Sequence, residues 1–275
     1  MTSKVIIFIV LSLSVALHPS LTALQDATYK TDKKKKTMQE KHPYMSNVEQ
    51  TKIKPYLLPT KHPIYNTLQS IFTVQRATLN SETLASAGFN NRFTQPRSFI
   101  RVVSHPATPG YLFKLYLDSE TRIKKNTPGW QWLVNRAKNA TIIQSIITRK
   151  KIKHFVVAKK WIYQLPTYPL PPLNDPNYTP KGEILVVEDM NLVSKEENAH
   201  AWKTVITKEH LDEFYKIISS AGGSSYRIDN VAYTKSGKFA FIDTEYTNRT
   251  VDRVSITKYL SPKMANYWTK RTLFP

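Results

Sequence analysis

A chain of 275 residues without a single cysteine has no covalent cross-link to lean on. Whatever it folds into must be held by the packing of its apolar side chains. Hydrophobic residues make up 41% of it, enough for a core in one large domain or two small ones. The same absence removes thiolate metal sites and thiol nucleophiles from the possible chemistries. Forty Lys and Arg stand against 20 Asp and Glu, a formal charge of +20. That balance points to acidic partners: an acidic protein, an anionic surface or nucleic acid.

The first residues, MTSKVIIFIVLSLSVALHPSLTA, place Lys4 before an apolar run from Val5 to Leu17, followed by small residues up to Ala23. This reads as a signal peptide over 1–23, which predicts a secreted or periplasmic protein. The alternative is an uncleaved N-terminal membrane anchor. The run is short for a bilayer span and no later stretch is apolar enough, so no transmembrane span is expected in the mature chain. Residues 24–66 are rich in Lys and Pro, with Lys33 to Lys36 in one run, and read as an extended, solvated arm. Asn139-Ala-Thr, Asn177-Tyr-Thr and Asn248-Arg-Thr fit the glycosylation pattern.

Beyond the arm, strand and helix signals alternate. SFIRVVSH (98–105) and YLFKLYLD (111–118) read as a hairpin around PATPG. From Trp130 to Lys151, apolar residues recur at three- and four-residue steps and predict a helix. FVV (155–157) reads as a short strand, and EILVVEDM (183–190) as a buried one. TKEHLDEFYKIISSAGG predicts a helix capped by Thr207 and ended by Gly222 or Gly223. VAYT and KFAFID flank the turn KSG as a second hairpin, and a last helix is expected within SITKYLSPKMANYWTKR. No Gly-x-Gly-x-x-Gly occurs, which excludes a Rossmann unit.

The stretch YRIDNVAYTKSGKFAFIDTEY carries the most chemistry. Asp229-Asn230 precedes the second hairpin, and Asp243 and Glu245 follow it. A tight hairpin brings its ends together, so an amide oxygen and a carboxylate could share one cation. With this pattern the chain resembles the protein-kinase-like superfamily, in which a catalytic-loop Asn, a hairpin and a metal-binding Asp follow one another. VVEDM and FIDTE are also similar to phrases in secreted or exported kinase-like proteins. The resemblance spans about Ser98 to Glu245. It implies an α+β, two-lobed fold: a hairpin-bearing N-lobe-like region at 67–186 and a mainly helical C-lobe-like region at 187–275. It further implies Asn230 and Asp243 as Mg2+ ligands and Lys114 as the partner of ATP phosphates. Glu188 and Asp189 would lie beside the adenine pocket, and Asp229 would be the only nearby candidate base.

Three departures weigh against phosphotransfer. Ser225 stands where the family's catalytic Asp falls, and a hydroxyl cannot take the substrate proton as a carboxylate does. No Asp or Glu occurs between Glu120 and Asp175, so the predicted helix cannot supply the glutamate that pairs with the lysine. Gly110 is the one glycine in the place of a phosphate-cradling loop. Together they imply a pseudokinase-like binding module for a nucleotide or a protein partner. Two alternatives stay open: a divergent Mg2+-dependent phosphotransferase, and a basic protein that binds nucleic acid or an anionic surface. For nucleic acid, Trp130, Trp132, Trp161 and Tyr163 among the Lys and Arg residues could stack bases. His154, His200 and His210 show no metal-ligand spacing among themselves, and His210 is expected on the surface. Glu245 is expected to pair with Arg249 or Arg253.

Overall fold

The computed structural model describes residues 42–94, 99–223, 226–246 and 250–273. The signal-peptide region, Lys33 to Lys36, Ser225 and Arg249 lie outside the described residues. Helix α1 (Asn47–Ile53) begins where the Ser46 hydroxyl accepts from the Glu49 N–H at 3.1 Å, the usual N-cap bond. Helices α2 (Tyr65–Val74) and α3 (Ser81–Ser86) follow, the latter opened by a reciprocal capping box between Asn80 and Thr83. Strands β1 (Asn90–Thr94), β2 (Arg101–Ser104) and β3 (Tyr111–Leu115) lead to the long helix α4 (Gly129–Arg149). Then come β4 (Phe155–Val157), β5 (Lys160–Gln164) and β6 (Glu183–Glu188). Helices α5 (Lys195–Thr204) and α6 (Lys208–Ala221), strands β7 (Val231–Tyr233) and β8 (Phe239–Phe241), and helix α7 (Pro262–Leu273) complete the order.

These elements make an α+β fold with two sheets. The larger is antiparallel, in the order β1-β2-β3-β6-β5. Side chains alternate across a strand, so β3 divides its residues between two packing layers. Phe113 and Leu115 face a cluster with Leu68 and Phe72 of α2 and Leu84 of α3. Leu112 and Tyr116 face the other way, onto Leu133, Val134 and Ala137 of α4 and Ile53 of α1. Lys114 shares this second parity. It lies opposite Leu185 of β6, which in turn lies opposite Ile162 of β5. Lys160, two residues from Ile162 and opposite Val187, shares the same face.

The smaller sheet runs β4-β8-β7, with β4 parallel to β8 and β8 antiparallel to β7. The β7–β8 turn carries Gly237 at φ +81°, a left-handed conformation that glycine adopts without a Cβ penalty. Phe155, Phe239 and Phe241 pack there against Trp202 of α5, Phe214 of α6 and Trp268 of α7. Helix α4 serves both clusters. Its first half gives Leu133 and Ala137 to the large-sheet cluster, and its second half gives Ala140, Ile143 and Ile147 to the small-sheet cluster. The residues between, Arg136 and Asn139, therefore sit where the two cores meet.

Two organisational expectations need correction. The arm proposed for 24–66 is folded from residue 42 onward: Ile53 and Leu58 are buried, and the Leu58 N–H donates to Ile162 O at 2.8 Å. A few apolar residues spaced by lysines are enough to dock a short helix. The boundary proposed at 186/187 falls inside β6 and would separate β4 from its sheet partner β8. No helix among the described residues is long and apolar enough to cross a membrane.

Candidate functional site

The β7–β8 hairpin closes as its spacing predicts. The Ile242 N–H donates to Asn230 O at 2.9 Å, which puts Asn230 beside the segment that carries Asp243. That segment, 242–246, has no regular secondary structure and is sewn to α4 by side chains. The Asn139 amide donates to Thr244 O at 2.8 Å and to Glu245 O at 3.3 Å. The Thr244 hydroxyl donates back to Arg136 O at 2.7 Å. Asn139, which fits a glycosylation pattern, is thus buried and engaged in fixing the segment.

Arg136 organises the charges. Its Nε donates to Asp243 Oδ1 at 3.2 Å, and its Nη2 donates to Glu245 Oε2. Lys124 Nζ donates to the other Glu245 oxygen at 2.7 Å. The Arg136 side chain is only 3% exposed and that of Glu245 5%, whereas Asp243 keeps 29% of its side chain open. Burial opposes the charge on Arg136, but Asp243 and Glu245 outweigh it and hold the guanidinium firmly protonated. Burial would also raise the Asp243 carboxyl, yet Arg136, Lys114 and Lys160 together hold it well below the usual carboxylate range.

Two lysines on the sheet face complete the group. Burial lowers Lys114, Asp243 opposes that shift, and Arg136 adds to it. Lys160 is buried and held down to about 7, chiefly by burial and then by the charge of Lys114. Its Nζ donates to Ala158 O at 3.3 Å. The assembled set is thus Lys114, Lys124, Arg136 and Lys160 against Asp243 and Glu245. Cations outnumber carboxylates, and both carboxylates already accept from cations.

The expected site residues divide on this geometry. Lys114 and Asp243 lie within electrostatic reach of each other and of Arg136, and Asn230 meets the Asp243 segment through its backbone carbonyl. Asp229 does not join them: its side chain is 62% exposed and pairs with Arg227 at 2.9 Å. Glu188 accepts from the Lys159 N–H at 3.4 Å and lines a cavity of about 610 Å3 with Asp189, Met190 and Gln144. Lys114, Asn230 and Asp243 do not line that cavity. Glu245 pairs with Arg136 and Lys124 rather than with Arg253. Sequence reasoning missed Arg136 and Lys160. The one available signal was the acid-free stretch after Glu120, which leaves the helix only cations to present to the hairpin.

Of the aromatic residues considered for base stacking, Trp132 and Tyr163 are core residues, 6% and 1% exposed, while Trp130 and Trp161 are partly buried against the clusters of the large sheet. His210, expected on the surface, is buried against His154 with ring centroids 4.1 Å apart. His154, Glu209 and Glu213 bring one ligand atom each to within 4.8 Å of one another and could hold a metal ion. Two of these three ligands are carboxylates, which histidine spacing alone does not reveal. The chain matches no protein-family model, and no curated protein is significantly similar to it.

Proposed function

We propose that this protein is a kinase-like binding domain without phosphotransfer, whose hairpin-end site holds a nucleotide through its phosphates. The architecture supports this reading. A lysine sits on the third strand of an antiparallel sheet, a long helix packs on the face to which that lysine belongs, and an Asn–hairpin–Asp unit closes beneath the helix. Protein kinases set a β3 lysine against a helix glutamate in the same relation.

The observation that carries the loss of catalysis is Arg136. The helix supplies a guanidinium in place of a glutamate, and it occupies both carboxylates that follow the hairpin. Mg2+ takes carboxylate oxygens in a strict octahedral shell and keeps waters around itself. Asp243 and Glu245, already engaged by cations, are a poor donor set for it. A phosphate is a better match. Its oxygens accept from Lys114 and Lys160, and the fixed positive charge of Arg136 performs the neutralisation that a metal would otherwise supply. Asp229, exposed and paired with Arg227, is not placed to act as a base.

Calorimetric titration of the full chain with ATP, in Mg2+ and in chelator, tests the reading. We expect binding in chelator at least as tight as in Mg2+, weakened about tenfold or more by Lys114→Met. Binding that requires Mg2+ and disappears in Asp243→Asn would favour a divergent phosphotransferase with Asn230 and Asp243 as metal ligands. No binding by demonstrably folded protein would remove the nucleotide site. Attention would then turn to acidic proteins, anionic membranes and nucleic acid as partners for the +20 chain.

A further inference from the structure

Away from the hairpin end, the first half of α6 meets the turn that enters β4. Glu209 and Glu213 are four residues apart on α6, a spacing that places both on one helix face. His154 stands across from them, directly before β4. Its Nδ1 lies 3.1 Å from Glu213 Oε2. One ligand atom from each of the three residues falls within 4.8 Å of the others. Ligand atoms around a tetrahedral zinc, with bonds of about 2.0–2.2 Å, sit roughly 3.3–3.6 Å apart, so a small inward movement of an exposed glutamate would complete the set. The His154 ring is already oriented. It packs against His210, whose own Nδ1 lies 2.8 Å from the Thr207 hydroxyl. Glu213 is oriented as well, by the N–H groups of Lys153 and His154, each donating at 3.0 Å. Preorganised orientation of this kind is what holds metal ligands in place.

We propose that His154, Glu209 and Glu213 form a zinc-class metal site that clips the first turns of α6 to the turn entering β4. One imidazole nitrogen and two carboxylate oxygens suit a divalent transition ion, whereas the imidazole disfavours Mg2+ and Ca2+. Three protein ligands leave one position for water. The clip joins segments more than 50 residues apart in sequence, the part that disulfides play in chains that have cysteine. The site is independent of the nucleotide reading, because none of its three residues belongs to the hairpin-end group.

The test uses the full chain, free of any histidine tag and stripped by chelator. ZnCl2 is titrated calorimetrically and the melting temperature is followed. We expect one zinc per chain and, at a hundredfold excess over Kd, a rise of about 5 °C or more. Both effects should vanish in His154→Gln and in Glu209→Gln and persist in His200→Gln, which alters an exposed histidine on α5. Glu209 is exposed, so its amide variant leaves the packing intact even if His154→Gln folds poorly. Absence of stoichiometric uptake by the native chain would overturn the proposal. So would uptake unchanged in Glu209→Gln, or an equal rise with MgCl2.

Discussion

Arg136 on α4 and Asp243 beyond the last hairpin, 107 residues apart in sequence, meet through a 3.2 Å bond from guanidinium Nε to carboxylate Oδ1. The same guanidinium also holds Glu245. Removing one member of a buried ion group leaves the others uncompensated, which costs about 3–5 kcal/mol, whereas replacing the group with packed apolar residues is close to neutral. Arg136→Met is therefore expected to lose stability in that range at pH 7, and Arg136→Met/Glu245→Met to recover most of it, as read from urea unfolding. Asp243 gives the pH signature. Its folded carboxyl titrates below the usual 3.8, so its contribution is complete above about pH 4 and is lost as the pH falls through the lower folded value. The acid limb of the native stability curve should flatten in Arg136→Met.

Lys160 produces a dependence of the opposite sense. Burial and Lys114 hold it down to about 7 from 10.5. Below pH 7 it is charged whether the chain is folded or not, and the folded chain bears the whole cost of burying that charge. Between about pH 7 and 10.5 the unfolded chain binds more protons, so stability rises with pH. Lys160→Met should therefore stabilise the fold at pH 6 by on the order of 2–4 kcal/mol, with the gain fading toward pH 10. Unfolding measured at pH 6, 8 and 10 decides this; a gain that stays constant would mean that Lys160 is not the titrating group.

The same lysine is predicted to link ligand binding to pH. A phosphate placed beside Lys160 raises its affinity for a proton, so binding near pH 7–8 should take up a proton. ATP affinity should then increase from pH 9 to pH 6. Calorimetry in buffers of different ionisation enthalpy would register the uptake, and Lys160→Met would abolish it. Affinity that is flat with pH in the native chain would place the ligand elsewhere.

The pieces legible in the sequence were those whose local chemistry agrees with their tertiary role. The stripe from Leu133 to Ile147 marked α4, and Lys-Ser-Gly between two apolar runs marked the β7–β8 hairpin. Strand β5 was missed because Lys160 occupies an inward position that binary patterning reserves for apolar residues. Asp243 could be found because it follows the second apolar run of a short hairpin, at the end where Asn230 enters the first. Arg136 could not, since a cation on a helix ordinarily reads as a solvated one, and its partners lie more than 100 residues away. The His154–Glu213 pair was hidden in the same way by a separation of 59 residues.

Asn139 tests how firmly the 242–246 segment is fixed. Its amide serves Thr244 O and Glu245 O, and truncation leaves two carbonyls facing a buried gap. Asn139→Ala is expected to cost about 1–3 kcal/mol in urea unfolding and to weaken ATP binding alongside, because Asp243 rides on the same segment. Unchanged stability would mean that the Thr244–Arg136 bond and the ion pairs of Arg136 and Lys124 hold it without Asn139.

The first described helix offers the sharpest contrast between arm and core. Ile53 is 1% exposed, within the cluster that α4 and the large sheet share, whereas Val48 on the same helix is 62% exposed. A buried Ile truncated to Ala loses its transfer free energy and leaves a cavity, together about 2–5 kcal/mol, while an exposed change stays within about 0.5 kcal/mol. Ile53→Ala should thus lower the urea midpoint clearly and Val48→Ala should leave it in place. In a solvated arm both substitutions would be silent. Because Ile53 packs in the same cluster as Tyr116 and Leu133, its loss should also loosen α4 against the sheet face that carries Lys114. ATP affinity in Ile53→Ala is therefore expected to fall with stability, although Ile53 carries no charge and belongs to no ligand-binding group.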